Sequence, residues 1–401
     1  MLHLRHTRGV RGALLAALAA TGLCALALSG CGGGEFDGEA AGPRPVAMFV
    51  VSTRKGETGA LSEAGNDGVG RASLQFIGVP PGHRAGQLEL PSIGAPDPGR
   101  HFALMKRRPL DEEGLSAALA SHLSGRVGSN RDVLLYVHGF NTSYDEARFR
   151  LAQIVVDGRF GGAAALFTWP STNNLLDYGA AKENATISRD ALARLIRDLT
   201  QIPDVGRVHI LAHSMGSWLT MEALRQNAIA YGPSAGERLG DVMLAAPDID
   251  LNVFRQQVAR LDPSHIFVLV AANDRALSLS RTLAGDRPRL GALDPNAPAD
   301  RAALEGLGVR VFDLTREADI FVGHGAYANA PDALRTIGAQ IAAPRAGEAG
   351  VQAVLGERPV DDRIVSETLT PLPPAPAPPV PDAAPTALAP AAPAAPAAPA
   401  Q

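Results

Sequence analysis

The stretch Ala212-His213-Ser214-Met215-Gly216 stands between a strand-forming run, VHILA, and a helix-compatible run, MGSWLTMEALRQNAIA. A serine on a sharp strand-to-helix turn has its hydroxyl lifted clear of the sheet, and the first amides of the helix point at whatever it attacks. The backbone doubles back closely at such a turn, so small residues are needed two positions to either side. Ala212 and Gly216 meet that need. The chemistry this arrangement serves is nucleophilic attack on a carbonyl carbon. A serine hydroxyl is a weak nucleophile and needs an adjacent base, which a third group holds in place. The competing role for Ser214 is an ordinary helix cap after a buried strand.

Chain order narrows the partners. On a serine elbow of this kind the acid and then the base follow the nucleophile. Only His265 and His324 follow Ser214. His265 opens a strand-like run, HIFVLVAA, which puts it at the wrong end of a strand. His324 lies in VGHGAY, after the last strand-like run, and is the expected base. The acid is Asp274, in AANDRAL after HIFVLVAA, or one of Asp248 and Asp250, in APDID after DVMLAA. A position after the penultimate strand favours Asp274, while all three residue types also serve as turns or helix caps. A tetrahedral intermediate further requires preorganised N–H donors. The Met215 amide is one, and Phe140, in HGFNTS after the run VLLYV, is expected to supply the other. His138 precedes the acid in the chain and is expected to order this loop rather than act as base.

These residues need a frame. From residue 131 onward apolar runs alternate with helical patterns. Strands are expected at 133–137, 164–169, 208–212, 241–246, 265–272 and 309–315. Helices are expected at 143–157, with Ser143 as N-cap and Glu146 three residues on, and at 185–202 and 215–230. Continuous apolar strands alternating with helices imply a mostly parallel central sheet covered on both faces. Its ligands bind at the carboxyl ends of the strands. Upstream, VAMFVVS (46–52), ASLQFIGV and GQLELP read as strands at an antiparallel N-terminal edge. The loop 170–184 falls at the catalytic edge, where Leu175, Leu176 and Tyr178 line an acyl pocket, form a small lid or belong to a solvated connection.

The two ends of the 401-residue chain have other textures. Residues 1–30 combine Arg5, Arg8 and Arg11 with an apolar run and small residues, the pattern of an export signal. The run ends in Leu28-Ser29-Gly30-Cys31, which resembles a bacterial lipobox. That resemblance implies cleavage before Cys31, lipid on Cys31 and a lipid-anchored protein of the bacterial cell envelope, facing the periplasm. Cys24 and Cys31 are the two cysteines, so no disulfide is expected in the mature chain. The signal carries three arginines and no acid, so its removal takes the formal charge from −4 to −7. That balance argues against nucleic acid as a partner. Residues 31–44 read as a Gly-rich linker, 45–345 as one large α/β domain, and 346–401 as a disordered Pro/Ala-rich tail. No metal-ligand spacing and no phosphate loop stands out, and no cofactor is expected.

Taken together, VHGFNTSYDEA (137–147), FTWPS (167–171), LAHSMG (211–216), LAAPDID (244–250), NDRAL (273–277) and VGH (322–324) resemble the α/β-hydrolase superfamily. Within it they are similar to the DUF900 group of esterase- and lipase-like proteins. The resemblance spans roughly residues 45–345 and implies an α/β-hydrolase fold. It also implies a Ser214–Asp274–His324 triad with oxyanion amides from Phe140 and Met215. The resemblance supplies no substrate; the residues themselves lead to the expectation of cleavage of a small-molecule ester or lipid through an acyl-enzyme. The same machinery serves acyl transfer or thioester cleavage, and a binding or scaffold protein on a retired hydrolase fold is the alternative from another class.

Overall fold

The computed structural model describes residues 42–55, 65–171, 177–283, 285–316 and 326–342. The export signal, Cys31, most of the linker, the Pro/Ala tail, Leu175, Leu176 and His324 lie outside the described residues.

Nine strands form one sheet in the order β3-β2-β1-β5-β4-β6-β7-β8-β9. They are β1 (Arg44–Arg54), β2 (Asn66–Val79), β3 (Ala103–Leu110), β4 (Val133–Val137), β5 (Ala163–Thr168), β6 (Val208–His213), β7 (Leu239–Ala245), β8 (Ile266–Val270) and β9 (Arg310–Asp313). From β1 to β9 every neighbouring pair is parallel, whereas β2 runs antiparallel to both β1 and β3. The architecture is therefore the expected mostly parallel sheet with an antiparallel edge.

The runs VLLYV and VHILAH are buried at every position, as required of strands covered on both faces. Alternate residues serve opposite layers. Val133, Leu135, Val137, Ile210 and Ala212 pack into one core, and Leu134, Tyr136 and Leu211 into the other. The first core is closed by α1 (Glu112–Leu123), α3 (Tyr178–Gln201), α4 (Met215–Tyr231), α5 (Leu251–Val258) and α7 (Pro298–Glu305). The second is closed by α2 (Tyr144–Asp157), α8 (Ala326–Asn329) and α9 (Pro331–Ala342). One further helix, α6 (Arg275–Leu283), follows β8. Among the described residues no helix is long and apolar enough to cross a membrane.

Ser143 caps α2 as expected, its hydroxyl accepting the Glu146 amide at 3.0 Å. Two expectations need correction. GQLELP is not a strand. The Phe102 amide donates to the Glu89 carbonyl at 2.9 Å, but no ladder follows, and Pro91 interrupts any. The edge strand is instead β3, whose centre reads Met-Lys-Arg-Arg-Pro. Its exposed Lys106 and Arg108 and its Pro109 suit a strand that must not recruit another. The second half of the stretch 170–184 is helix rather than loop, since α3 begins at Tyr178, seven residues before the expected helix.

The sheet reverses its building direction beside β4. The chain steps from β4 to β5 on one side and later places β6 on the other. Such a switch point opens a crevice at the carboxyl ends of the two strands. Here the loops after β4 and β6 meet.

Candidate active site

Ser214 sits between β6 and α4 with φ 53° and ψ −123°. This left-handed backbone costs a non-glycine residue on the order of 1–3 kcal/mol, so the surrounding structure must enforce it. The Ser214 amide donates to the Ala245 carbonyl at 2.9 Å, and its own carbonyl accepts from Ser217 at 3.0 Å and from Asp248 at 3.2 Å. The hydroxyl makes no capping bond to α4, which removes the helix-cap explanation of this serine. The requirement for small neighbours is met literally. A Cβ on Gly216 would lie 2.3 Å from the His138 carbonyl oxygen and 2.7 Å from that of Val137.

The loop after β4 closes against the elbow just as tightly. A Cβ on Gly139 would lie 2.8 Å from the Ser214 Cβ and 3.0 Å from the His213 carbonyl oxygen. Asn141, two residues on, is also left-handed at φ 56°. Among the described residues the Phe140 and Met215 amides donate to no protein acceptor. Ser214 opens onto a cavity of about 260 Å³. One wall carries Ala276, Leu277 and Leu279 and another carries Asn141, Glu146 and Arg150, with Phe140, Tyr178 and Tyr327 also on the lining.

The three candidate acids have separate lives. Asp274 is buried beyond the carboxyl end of β8, and its Oδ1 accepts the Ala276 and Leu277 amides at 2.9 and 3.1 Å. It thereby caps α6, whose first turn lines the cavity. Asp250 caps α5, accepting from Asn252 and Val253 at 2.9 and 3.1 Å. Asp248 does not cap α5, contrary to the shared capping role expected of this pair. It lines the cavity and is held there by the Tyr178 hydroxyl at 2.8 Å, the Ser280 hydroxyl at 2.6 Å and Arg289 at 3.3 Å. Burial, then the Asp248 charge, raises the Tyr178 pKa, so the phenol stays a donor.

The family model for "Alpha/beta hydrolase of unknown function (DUF900)" matches residues 112–342, more than half of the chain. The chain belongs to this family. A 61-residue stretch is 41% identical to an uncharacterized protein of Nostoc sp., covering 15% of this chain and 16% of that protein. The chain thus matches about a sixth of the length of that curated relative. A crystal structure of a predicted CIB-like hydrolase from Thermoplasma acidophilum is similar at 13% identity over 53% of this chain and 86% of that one, with a TM-score of 0.29.

In this DUF900 chain the motif FTWPS is the mounting for HGFNT. The Trp169 ring stacks on His138, with centroids 5.4 Å apart and planes 3° apart, and its Nε1 donates to the His138 carbonyl at 3.0 Å. The Ser171 hydroxyl donates to the Thr142 carbonyl at 2.8 Å. His138 therefore orders the loop, as its position before the acid suggests. Arg54 belongs to the same assembly. It is buried at the end of β1, and its Nε and Nη2 donate to the Thr168 hydroxyl at 3.1 Å and the Thr142 carbonyl at 3.0 Å. Sequence reading missed it, because an arginine in STRKG before a polar stretch looks like a solvated strand end.

Proposed function

We propose that this protein is a serine hydrolase that cleaves carboxylic esters. Ser214 attacks the carbonyl carbon while His324 accepts its proton, and Asp274 orients and charge-stabilises the imidazole. The Phe140 and Met215 amides receive the oxyanion. Collapse expels the alcohol, which takes the proton from His324, and leaves an acyl group on Ser214. Water then repeats the sequence and releases the acid. The observation that carries this reading is the backbone of Ser214. A strained turn presents a hydroxyl that does no structural capping, beside two amides that find no acceptor among the described residues, and facing a cavity. The place of His324 rests on chain order, and that of Asp274 on its position after β8.

The cavity favours a small substrate. At about 260 Å³ it falls below the roughly 300–1,000 Å³ usual for sites that hold drug-sized ligands. Its apolar wall suits a short acyl chain.

Turnover of nitrophenyl esters of graded acyl length tests the reading. Ser214→Ala is expected to lower kcat by about four to six orders of magnitude with an unchanged unfolding transition, and a fluorophosphonate is expected to label wild type at Ser214. Equal turnover by wild type and variant would sink the proposal. A wild type that neither turns over nor labels would make the protein a binding module on this fold.

A further inference from the structure

The hydrogen bonds behind the Phe140 amide have fixed directions. A backbone N–H can only donate, and that of Trp169 lies 3.2 Å from His138 Nε2, so Nε2 carries no proton. A carbonyl can only accept, and that of Gly139 lies 2.9 Å from Nδ1, so Nδ1 carries the proton. Burial, then the nearby Arg54 charge, holds the His138 pKa down to about 3, and the ring stays neutral. The Thr168 hydroxyl lies 3.0 Å from Nε2 and must donate there, which leaves its lone pairs to accept Arg54 Nε–H at 3.1 Å. One directed chain results: Arg54 donates to Thr168, Thr168 to His138, and His138 to the Gly139 carbonyl.

That last carbonyl shares a peptide unit with the Phe140 amide. No peptide bond among the described residues is cis, and in a planar trans peptide the C=O and N–H point in opposite directions. Anchoring the Gly139 oxygen therefore aims the Phe140 hydrogen. Charge adds to geometry. Burial lowers the Arg54 pKa to about 10, which keeps the guanidinium protonated at neutral pH. Among the described residues no carboxylate pairs with it. Each donor in a hydrogen-bonded chain strengthens the next in a low-dielectric interior.

We propose that Arg54 is a positioning residue for the oxyanion site: acting through Thr168 and His138, it aims and polarises the Phe140 amide. It touches no substrate, and its catalytic sense rests on the ester-hydrolysis reading above. The cation acts at the far end of a neutral relay, so its effect falls on the charged intermediate rather than on bound ester.

The test cuts the relay at Thr168, which leaves the bond from Arg54 to the Thr142 carbonyl intact. Thr168→Val is expected to lower kcat about 10- to 100-fold with KM changed less than about threefold, a partial loss of one oxyanion donor. Thr168→Ser keeps the hydroxyl and is expected to restore most of the rate. Arg54→Met, which also loses the bond to the Thr142 carbonyl, is expected to be at least as slow as Thr168→Val, and the double variant to be no slower than the slower single, since both act on one chain. Wild-type kcat in Thr168→Val, or a loss confined to KM, overturns the proposal. If Arg54→Met fails to fold, the Val and Ser variants of Thr168 decide alone. Ring-nitrogen NMR of His138 gives a readout independent of turnover. The Nδ1-protonated neutral form is expected throughout about pH 5 to 8. An Nε2-protonated ring, or one that titrates in that range, overturns the relay even in an active enzyme. A wild type without Ser214-dependent turnover instead overturns the hydrolase reading and the catalytic sense of Arg54 with it, while the spectrum still reports whether the relay exists.

Discussion

The two edges of the sheet use the same residue types to opposite ends. At the amino edge, buried His209 accepts the Asp241 amide on Nδ1 at 3.0 Å and faces Asp132 across 3.3 Å on Nε2. Asp132 also takes the Arg207 amide at 2.8 Å, and His265 lies 3.2 Å from Asp241. A cavity of about 710 Å³ opens beside the starts of β7 and β8, far larger than the one at Ser214. Yet among the described residues no strained nucleophile stands there, and the His–Asp contacts stitch strand starts together. At the carboxyl edge three non-glycine residues, Asn141, Ser214 and Ala246, are left-handed, and amides are held in place with no protein acceptor among the described residues. On the proposed ester-hydrolysis reading, cavity size and histidine–aspartate pairing do not mark the chemistry. On that reading backbone strain marks it, beside amides that find no acceptor among the described residues.

This contrast can be broken by substitution. The largest effect is expected from Gly139→Ala, whose new Cβ would stand 2.8 Å from the Ser214 Cβ. The loop must move off the elbow, and kcat for ester hydrolysis should fall about 100-fold or more, the scale of a lost oxyanion donor. Wild-type kcat in this variant would show that the loop's fit against Ser214 is irrelevant.

At the other edge, His209→Gln should cost about 1–3 kcal/mol of stability by leaving buried partners unsatisfied, read as a lower urea midpoint. The folded variant should keep its kcat. If kcat fell as far as in Gly139→Ala, the division of labour between the edges would be refuted.

The smallest effect sharpens the role of strain. Ser214→Gly should be more stable than Ser214→Ala by about 1 kcal/mol, because glycine occupies the left-handed region without penalty. Equal midpoints for the two variants would mean that the elbow stores no strain.

Much of this division is legible in the sequence, and what is not has physical causes. The buried parallel strands announce themselves as unbroken apolar runs such as VLLYV, and Ser143 with Glu146 marks the start of α2 from local chemistry alone. The motif AHSMG between strand and helix locates the elbow. Edge strand β3 escapes the same reading because Met-Lys-Arg-Arg-Pro has no alternation, its task being to face solvent. The run GQLELP alternates yet forms no strand, since alternation reports a half-buried surface and cannot report an available partner. Helix α1 went unread although Asp111 caps it, accepting the Gly114 amide at 2.8 Å. For Asp248 the sequence offers only two roles, alternative acid or helix cap, because its partners Tyr178, Ser280 and Arg289 lie far along the chain. Arg54 is the sharpest case. Its meaning depends on Thr142 and Thr168, some 90 to 110 residues away, and no local pattern separates a buried guanidinium from a solvated one.

The cationic outer strand has a further consequence. Extending the sheet with a second molecule at β3 would strip water from Lys106 and Arg108 and set Pro109, which has no N–H to offer, into the new ladder. Among the described residues the far side offers the four residues of β9. Molecules crowded together would find no long seam along which to zip, so dense packing need not become fibrous assembly.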